Sequence, residues 1–161
     1  MASTYTPIAT TTLGSNAASY TFSSIPSTYT DLIIVVYGTA TGSGSNAYVQ
    51  YNADTSSNYS NLYMYGSGSS AISGTNTTQT QANFGYVNAT YGTSICQIQN
   101  YANSNVYKTF LGKWNNTDVL VAASVSTWRS TSAITSILVG CGSGNSFITG
   151  TSITLYGIAA A

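Results

Sequence analysis

The segment Asp31-Leu-Ile-Ile-Val-Val-Tyr-Gly38 contains an unbroken apolar run, Leu32 to Tyr37, centred on four β-branched residues. Side chains branched at Cβ are stiff about χ1 and suit a pleated strand better than a helix. An apolar run without polar alternation is expected where a strand is central or covered on both faces. Ser24 to Thr30 reads as the turn that feeds it, with Pro26 fixing φ. The run therefore demands a sheet with something packed against it.

The rest of the chain agrees. No window places apolar residues at i, i+3, i+4 and i+7 among helix formers. Strand patterns recur instead, over Ser19–Ile25, Leu32–Tyr37, Tyr48–Tyr51, Leu62–Tyr65, Ala82–Val87, Ser94–Tyr101, Val106–Lys113, Val119–Val125, Ala133–Val139 and Ser146–Ile158. Gly, Ser and Asn clusters separate them at 38–46, 66–80 and 140–146, where turns need positive φ. About ten short strands divided by turn signals predict an all-β fold, an antiparallel β-sandwich. No fixed period suggests a solenoid or propeller. No linker divides the chain, so residues 8–161 are expected to form one domain behind an N-terminal arm, 1–7, that lacks core signals.

Function is bounded chiefly by what the chain omits. Charged residues make up 4% of it, with three Asp balancing two Lys and one Arg, and there is no His and no Glu. A neutral chain lacks the basic stripe that neutralises phosphates, which argues against nucleic acid and anionic membrane surfaces as partners. Nor does any segment reach the roughly 18 apolar residues of a membrane span. Low charge also weakens repulsion between copies, so the chain is expected to live within an assembly. Without His, Ser/His/Asp and Cys/His catalysis are excluded, as is the common His/Cys metal site. No enzyme activity, metal or cofactor is expected. Cys96 and Cys141 are too few for a disulfide framework and read as buried thiols. The start, MASTYTPIATTTLGSN, has neither a basic nor an apolar stretch, so cytoplasmic synthesis is expected.

Three stretches remain as candidate sites. In Tyr51-Asn-Ala-Asp-Thr-Ser-Ser-Asn-Tyr-Ser60, the oxygens of Asn52, Asp54 and Asn58 suit a hard cation such as Ca²⁺. The same residues stabilise tight turns, and one carboxylate is few for calcium, so the turn is the preferred reading. Next, Tyr59, Tyr63 and Tyr65 lie close together, with Tyr63 and Tyr65 on one strand face. They suit either an interface or a sugar-stacking platform, unless that face simply packs inward. Finally, Trp128-Arg129 carries the only Arg, placed either across a subunit seam or in a solvated loop. Thr-rich segments lack the regular array that an ice-binding face requires.

Several motifs occur in a particular order: Ile8-Ala-Thr-Thr-Thr-Leu-Gly14, Tyr20-Thr-Phe-Ser-Ser-Ile-Pro26, Tyr29-Thr-Asp-Leu32, Tyr51-Asn-Ala-Asp54 with Asn58-Tyr-Ser60, Trp128-Arg-Ser-Thr131, Ala133-Ile-Thr-Ser-Ile137 and Ser152-Ile-Thr-Leu-Tyr-Gly157. From about Tyr5 to Ile158 this resembles a group of small virion proteins of tailed DNA bacteriophages. The resemblance implies a jelly-roll-like sandwich serving as a capsid cement, or decoration, protein. Its expected partners are the major capsid protein and further copies of itself, as a homotrimer, in a virion assembled in the host bacterial cytoplasm. Tyr5, Tyr59, Tyr63, Tyr65, Trp128 and Arg129 are the candidate interface residues. The alternative is a tail-fibre or receptor-binding module that recognises host surface glycan through Tyr59, Tyr63 and Tyr65. The resemblance brings no catalytic residues, and the segment 66–83 lies outside it.

Overall fold

The computed structural model describes residues 4–117 and 120–159. Among these residues there are twelve strands and no helix. They are β1 (Tyr5–Thr12), β2 (Ser19–Phe22), β3 (Asp31–Gly38), β4 (Ser45–Tyr51), β5 (Tyr59–Gly66), β6 (Ala71–Gln79), β7 (Ala82–Val87), β8 (Gly92–Ile98), β9 (Lys108–Asn116), β10 (Leu120–Trp128), β11 (Ile137–Cys141) and β12 (Ser152–Ile158). All pairings are antiparallel. One sheet has eight strands in the order β1-β12-β3-β8-β9-β10-β5-β6, and the other has four in the order β2-β11-β4-β7.

Setting β5, β6, β9 and β10 aside leaves eight strands whose two sheets, β1-β12-β3-β8 and β2-β11-β4-β7, interleave as two Greek keys. That is the jelly roll. The four remaining strands continue the larger sheet beyond β8 as a flank that overhangs β7, the edge of the smaller sheet. The predicted all-β sandwich is thus observed, with a one-sided extension that the sequence reading did not contain.

The run that opened the sequence reading forms β3, which lies inside the large sheet between β12 and β8. Leu32, Ile34 and Val36 are buried while Ile33 and Val35 are only half-buried, so the strand has one core face rather than two. Its inward residues pack with Val49 and Tyr51 of β4, Phe84 of β7, Ile137 and Val139 of β11, and Ile153 and Leu155 of β12. Cys96 on β8 and Cys141 on β11 are buried free thiols in opposite sheets. Burial pushes both thiols above their ordinary range.

Two expectations are corrected here. Of the N-terminal arm, Met1, Ala2 and Ser3 lie outside the described residues, but Tyr5 to Pro7 already belong to β1, with Tyr5 opposite Ile158. The segment 66–80, read as a long break, contains β6, a nine-residue edge strand paired with β5. The strand expected from Val119 begins at Leu120; Val119 itself lies outside the described residues.

Candidate functional site

Tyr51, Tyr59 and Trp128 come from three different strands and meet at one end of the core. The Trp128 and Tyr59 rings stack with centroids 6.3 Å apart and planes 19° from parallel, and Tyr51 leans on Trp128 at 5.5 Å. Tyr59 is fully buried and Trp128 is 2% exposed. The Tyr59 hydroxyl accepts a hydrogen bond from the Tyr51 amide at 2.9 Å and donates one to the Asp54 carbonyl at 3.2 Å. Tyr59 and Trp128, expected at an interface, are therefore core residues. They are buried because β5 and β10 pair at this end, Trp128 opposite Tyr59, and both side chains point inward.

The loop 52–58 is fastened to that cluster. Asn52 and Ala53 both have positive φ, 52° and 56°, and the Asp54 amide donates to the Tyr51 carbonyl at 2.9 Å. Positive φ at both central positions marks a type I′ turn. One Asp54 oxygen accepts from the Ser56 amide at 2.9 Å; the other accepts from Asn58 Nδ2 at 3.0 Å and Trp128 Nε1 at 2.7 Å. Asn52 Oδ1 accepts from the amides of Thr135 and Ser136. The side-chain oxygens of Asn52 and Asp54 are thus engaged with the protein itself, and the stretch is a turn. Arg129 Nη2 donates to the carbonyls of Ser57 and Tyr59, at 3.1 and 3.4 Å, so Arg129 closes this loop.

Partial burial pushes the Asp54 carboxyl upward in pKa, but the hydrogen bonds from Asn58, Trp128 and Ser56 outweigh it and bring it down to about 2. Burial raises Tyr51, Tyr59 and Tyr101 above their ordinary value. A carboxyl depressed on folding adds stability above its unfolded value, 3.8, and that contribution is lost as pH falls toward 2. A phenol raised on folding adds stability below its unfolded value, 10.0, and that contribution fades as pH rises past it. With neither His nor Glu, the chain is expected to show a flat urea midpoint from about pH 5 to 8, falling on both sides. Urea titrations across pH check this, and Asp54→Asn is expected to flatten the acid limb. An acid limb unchanged in that variant would detach it from Asp54.

Two features face solvent. The first is the outer face of the eight-stranded sheet. Its register aligns residues in rows that run from edge to edge, such as Thr10, Thr154, Val35, Ile95, Lys113, Ala123, Met64 and Ser73. The next row runs Pro7, Tyr156, Ile33, Gln97, Leu111, Val125, Leu62 and Thr75. A third includes Tyr37, Thr93, Asn115 and Val121. Tyr5, Tyr37, Leu62, Met64, Ile95, Leu111, Val121 and Val125 are exposed on this face, and Val121 reaches 66%. Lys113 is the one charged side chain in the three rows. Between β8 and β6 the face dips into an almost wholly apolar groove of about 770 Å³, floored by Ile95, Lys113, Ala123 and Met64.

The second is a cleft of about 420 Å³ on the opposite side of the same flank, where β5, β6, β9 and β10 overhang β7. Tyr63 and Tyr65, Trp114 and Tyr86 supply rings to it, and several Asn supply amides. The rings of Tyr63 and Tyr65 are 17° from parallel with centroids 6.4 Å apart. The cleft exists because the inner face turns polar beyond β8. Asn61 Oδ1 accepts from the Asn83 amide at 3.1 Å and from Ser126 Oγ at 2.7 Å, while Ser124 Oγ donates to the Asn83 carbonyl at 3.4 Å. These bonds cap the free edge of β7 and hold the flank over it. Gly112 permits the approach, since a Cβ there would lie 2.9 Å from the Phe84 carbonyl oxygen.

Sequence reasoning singled out Tyr63 and Tyr65, which the fold does bring together on one half-buried face, and Tyr5, which lies on the apolar outer face. It missed Trp114, Tyr86 and Asn83, which reach the cleft only through tertiary placement.

No family model and no curated protein matches the chain. Among solved structures, one neighbour is a mutant alginate lyase in complex with an alginate tetrasaccharide. It is 9% identical, covering 94% of this chain and 79% of that one at a TM-score of 0.31, a likeness too weak to carry an argument.

Proposed function

We propose that the chain is a non-enzymatic structural protein of a bacteriophage virion, a capsid decoration protein that docks on the major capsid protein through the outer face of its large sheet. The observation that supports this is the face itself: exposed apolar side chains on six of its eight strands, with Lys113 as the one charge in three rows. Eight strands at about 4.8 Å and three rows about 7 Å apart give a face of about 700 Å², in which Thr, Ser, Gln and Asn alternate with the apolar residues. A standard protein interface takes about 800 Å² from each partner. Exposed apolar patches of several hundred Å² mark interaction sites, and burying one is favourable at about 25 cal/mol per Å² before the costs of association. The resemblance of the motif order to small phage virion proteins points to the kind of particle. On this reading the copies bridge shell subunits as trimers, assembled in the host cytoplasm.

The test is copy number in purified particles, by quantitative mass spectrometry against the major capsid protein. Hundreds of copies per particle are expected. Val121→Asp with Val125→Asp, both exposed and so tolerated by the fold, is expected to remove the protein from particles while leaving its thermal midpoint unchanged. A few copies per particle, or full incorporation of the double variant, would overturn the decoration reading.

A further inference from the structure

We propose that the cleft beneath the flank is a binding site for a neutral oligosaccharide. The inference moves the glycan reading onto residues that the fold, and not the sequence, assembles, and it stands apart from the capsid reading because the cleft and the docking face lie on opposite sides of the flank.

The chemistry of the lining carries it. Aromatic rings offer apolar faces to the C–H side of a sugar ring, while amides both donate and accept, as vicinal hydroxyls require. The cleft combines Tyr63, Tyr65 and Trp114 with Asn61, Asn76 and Asn83, and none of its described lining residues is charged. A described lining without Lys, Arg, Asp or Glu gives no advantage to a uronate, a sialic acid or a phosphate. It suits a ligand that is uncharged, hydroxylated and apolar on its ring faces. The volume, about 420 Å³, lies within the range of small-molecule sites.

Two details make this a built site rather than a gap. Tyr63 lies across β6 over Gly74, where a Cβ would come within 2.6 Å of its hydroxyl oxygen. Glycine at this one position lets the ring settle against the strand. Asn83 Oδ1 is buried without a hydrogen-bond partner although its backbone amide and carbonyl are both engaged. An unmet buried acceptor is costly, and rotation of the Asn83 amide toward the cleft it lines would let a sugar hydroxyl supply the missing donor.

The experiment is a titration of the intact chain with neutral oligosaccharides of glucose, galactose, mannose, rhamnose and N-acetylglucosamine, with oligouronates alongside. Binding is read by tryptophan fluorescence and by amide chemical shifts. Trp114 lines the cleft and Trp128 is sealed in the core, so the fluorescence response is expected to vanish in Trp114→Phe and persist in Trp128→Phe. Tyr63→Ala is expected to weaken binding about tenfold, the worth of roughly one aromatic contact. Gly74→Val, which dislodges Tyr63 without removing it, is expected to act in the same direction. Shifts confined to Asn76, Asn83 and their neighbours support the site. No response to any neutral sugar at millimolar concentration overturns it, as does preference for the uronates or a response that survives both Tyr63→Ala and Gly74→Val. None of these results depends on particle copy number.

Discussion

Trp128→Ala is expected to lower the free energy of unfolding by about 4 kcal/mol, within the range for removing a buried large aromatic. Trp128 loses its stacking on Tyr59 and its contact with Tyr51, and Asp54 loses the indole donor at 2.7 Å. Against a total stability of about 5–15 kcal/mol for an ordinary domain, that is a large share. Trp128→Phe keeps most of the packing and drops the hydrogen bond, so it is expected to cost about 1–2 kcal/mol. Urea unfolding of the three proteins measures both. The ranking separates a core role from the interface role that the Trp128-Arg129 pair suggests in isolation. A stable alanine variant that assembles poorly would return Trp128 to the surface.

Lys108→Met is expected to cost about 3 kcal/mol, because hydrogen bonds from a charged donor are each worth about 1.5–3 kcal/mol. Lys108 is fully buried, and its ammonium donates to the carbonyls of Asn103, Val106 and Thr131 at 2.5, 2.8 and 3.1 Å. All three protons are used, and no carboxylate is among those partners. The side chain pins the loop after β8 to the segment after β10. Burial pulls its pKa below the ordinary lysine value. Amine acylation gives an independent check. The exposed Lys113 is expected to react in the folded protein, and Lys108 only in urea. Equal labelling of the two lysines without denaturant would contradict the burial on which the stability estimate rests.

The fold was legible where one face of a strand meets the core. β3 announces itself by its apolar run, and β7 was bounded correctly because Ala82, Phe84 and Val87 mark its inward side. β6 was not legible, because an edge strand with nearly every residue exposed carries no burial pattern, and its Ser, Gly, Thr and Asn read as a loop. β1 hid for a related reason: it starts at Tyr5, carries Pro7 and ends in a Thr-rich run, a composition that reads as an arm. The site was half legible. A period of two puts Tyr59, Tyr63 and Tyr65 on one face, but periodicity does not say where along β5 the apolar core gives way to the polar flank. Tyr59 falls on one side of that boundary and Tyr63 on the other. Asn83 and Tyr86 come from β7 and Trp114 from β9, and only the overhang of β9 and β10 above β7 brings them to Tyr63 and Tyr65.

The place of β12 governs how the molecule is made. It lies between β1 and β3, two strands synthesised more than a hundred residues earlier, and bonds to both. Until β12 arrives, β3 presents a bare, apolar backbone edge to other chains. β12 therefore joins β1 to β3 through pairings that link residues more than a hundred positions apart. Such topology folds slowly and exposes its intermediates to aggregation. A nascent chain cut short before Ser152 leaves two unsatisfied edges and no means of joining them. The order of synthesis thus sets the order of closure: β1 and β3 wait for a strand made more than a hundred residues later, which then inserts between them.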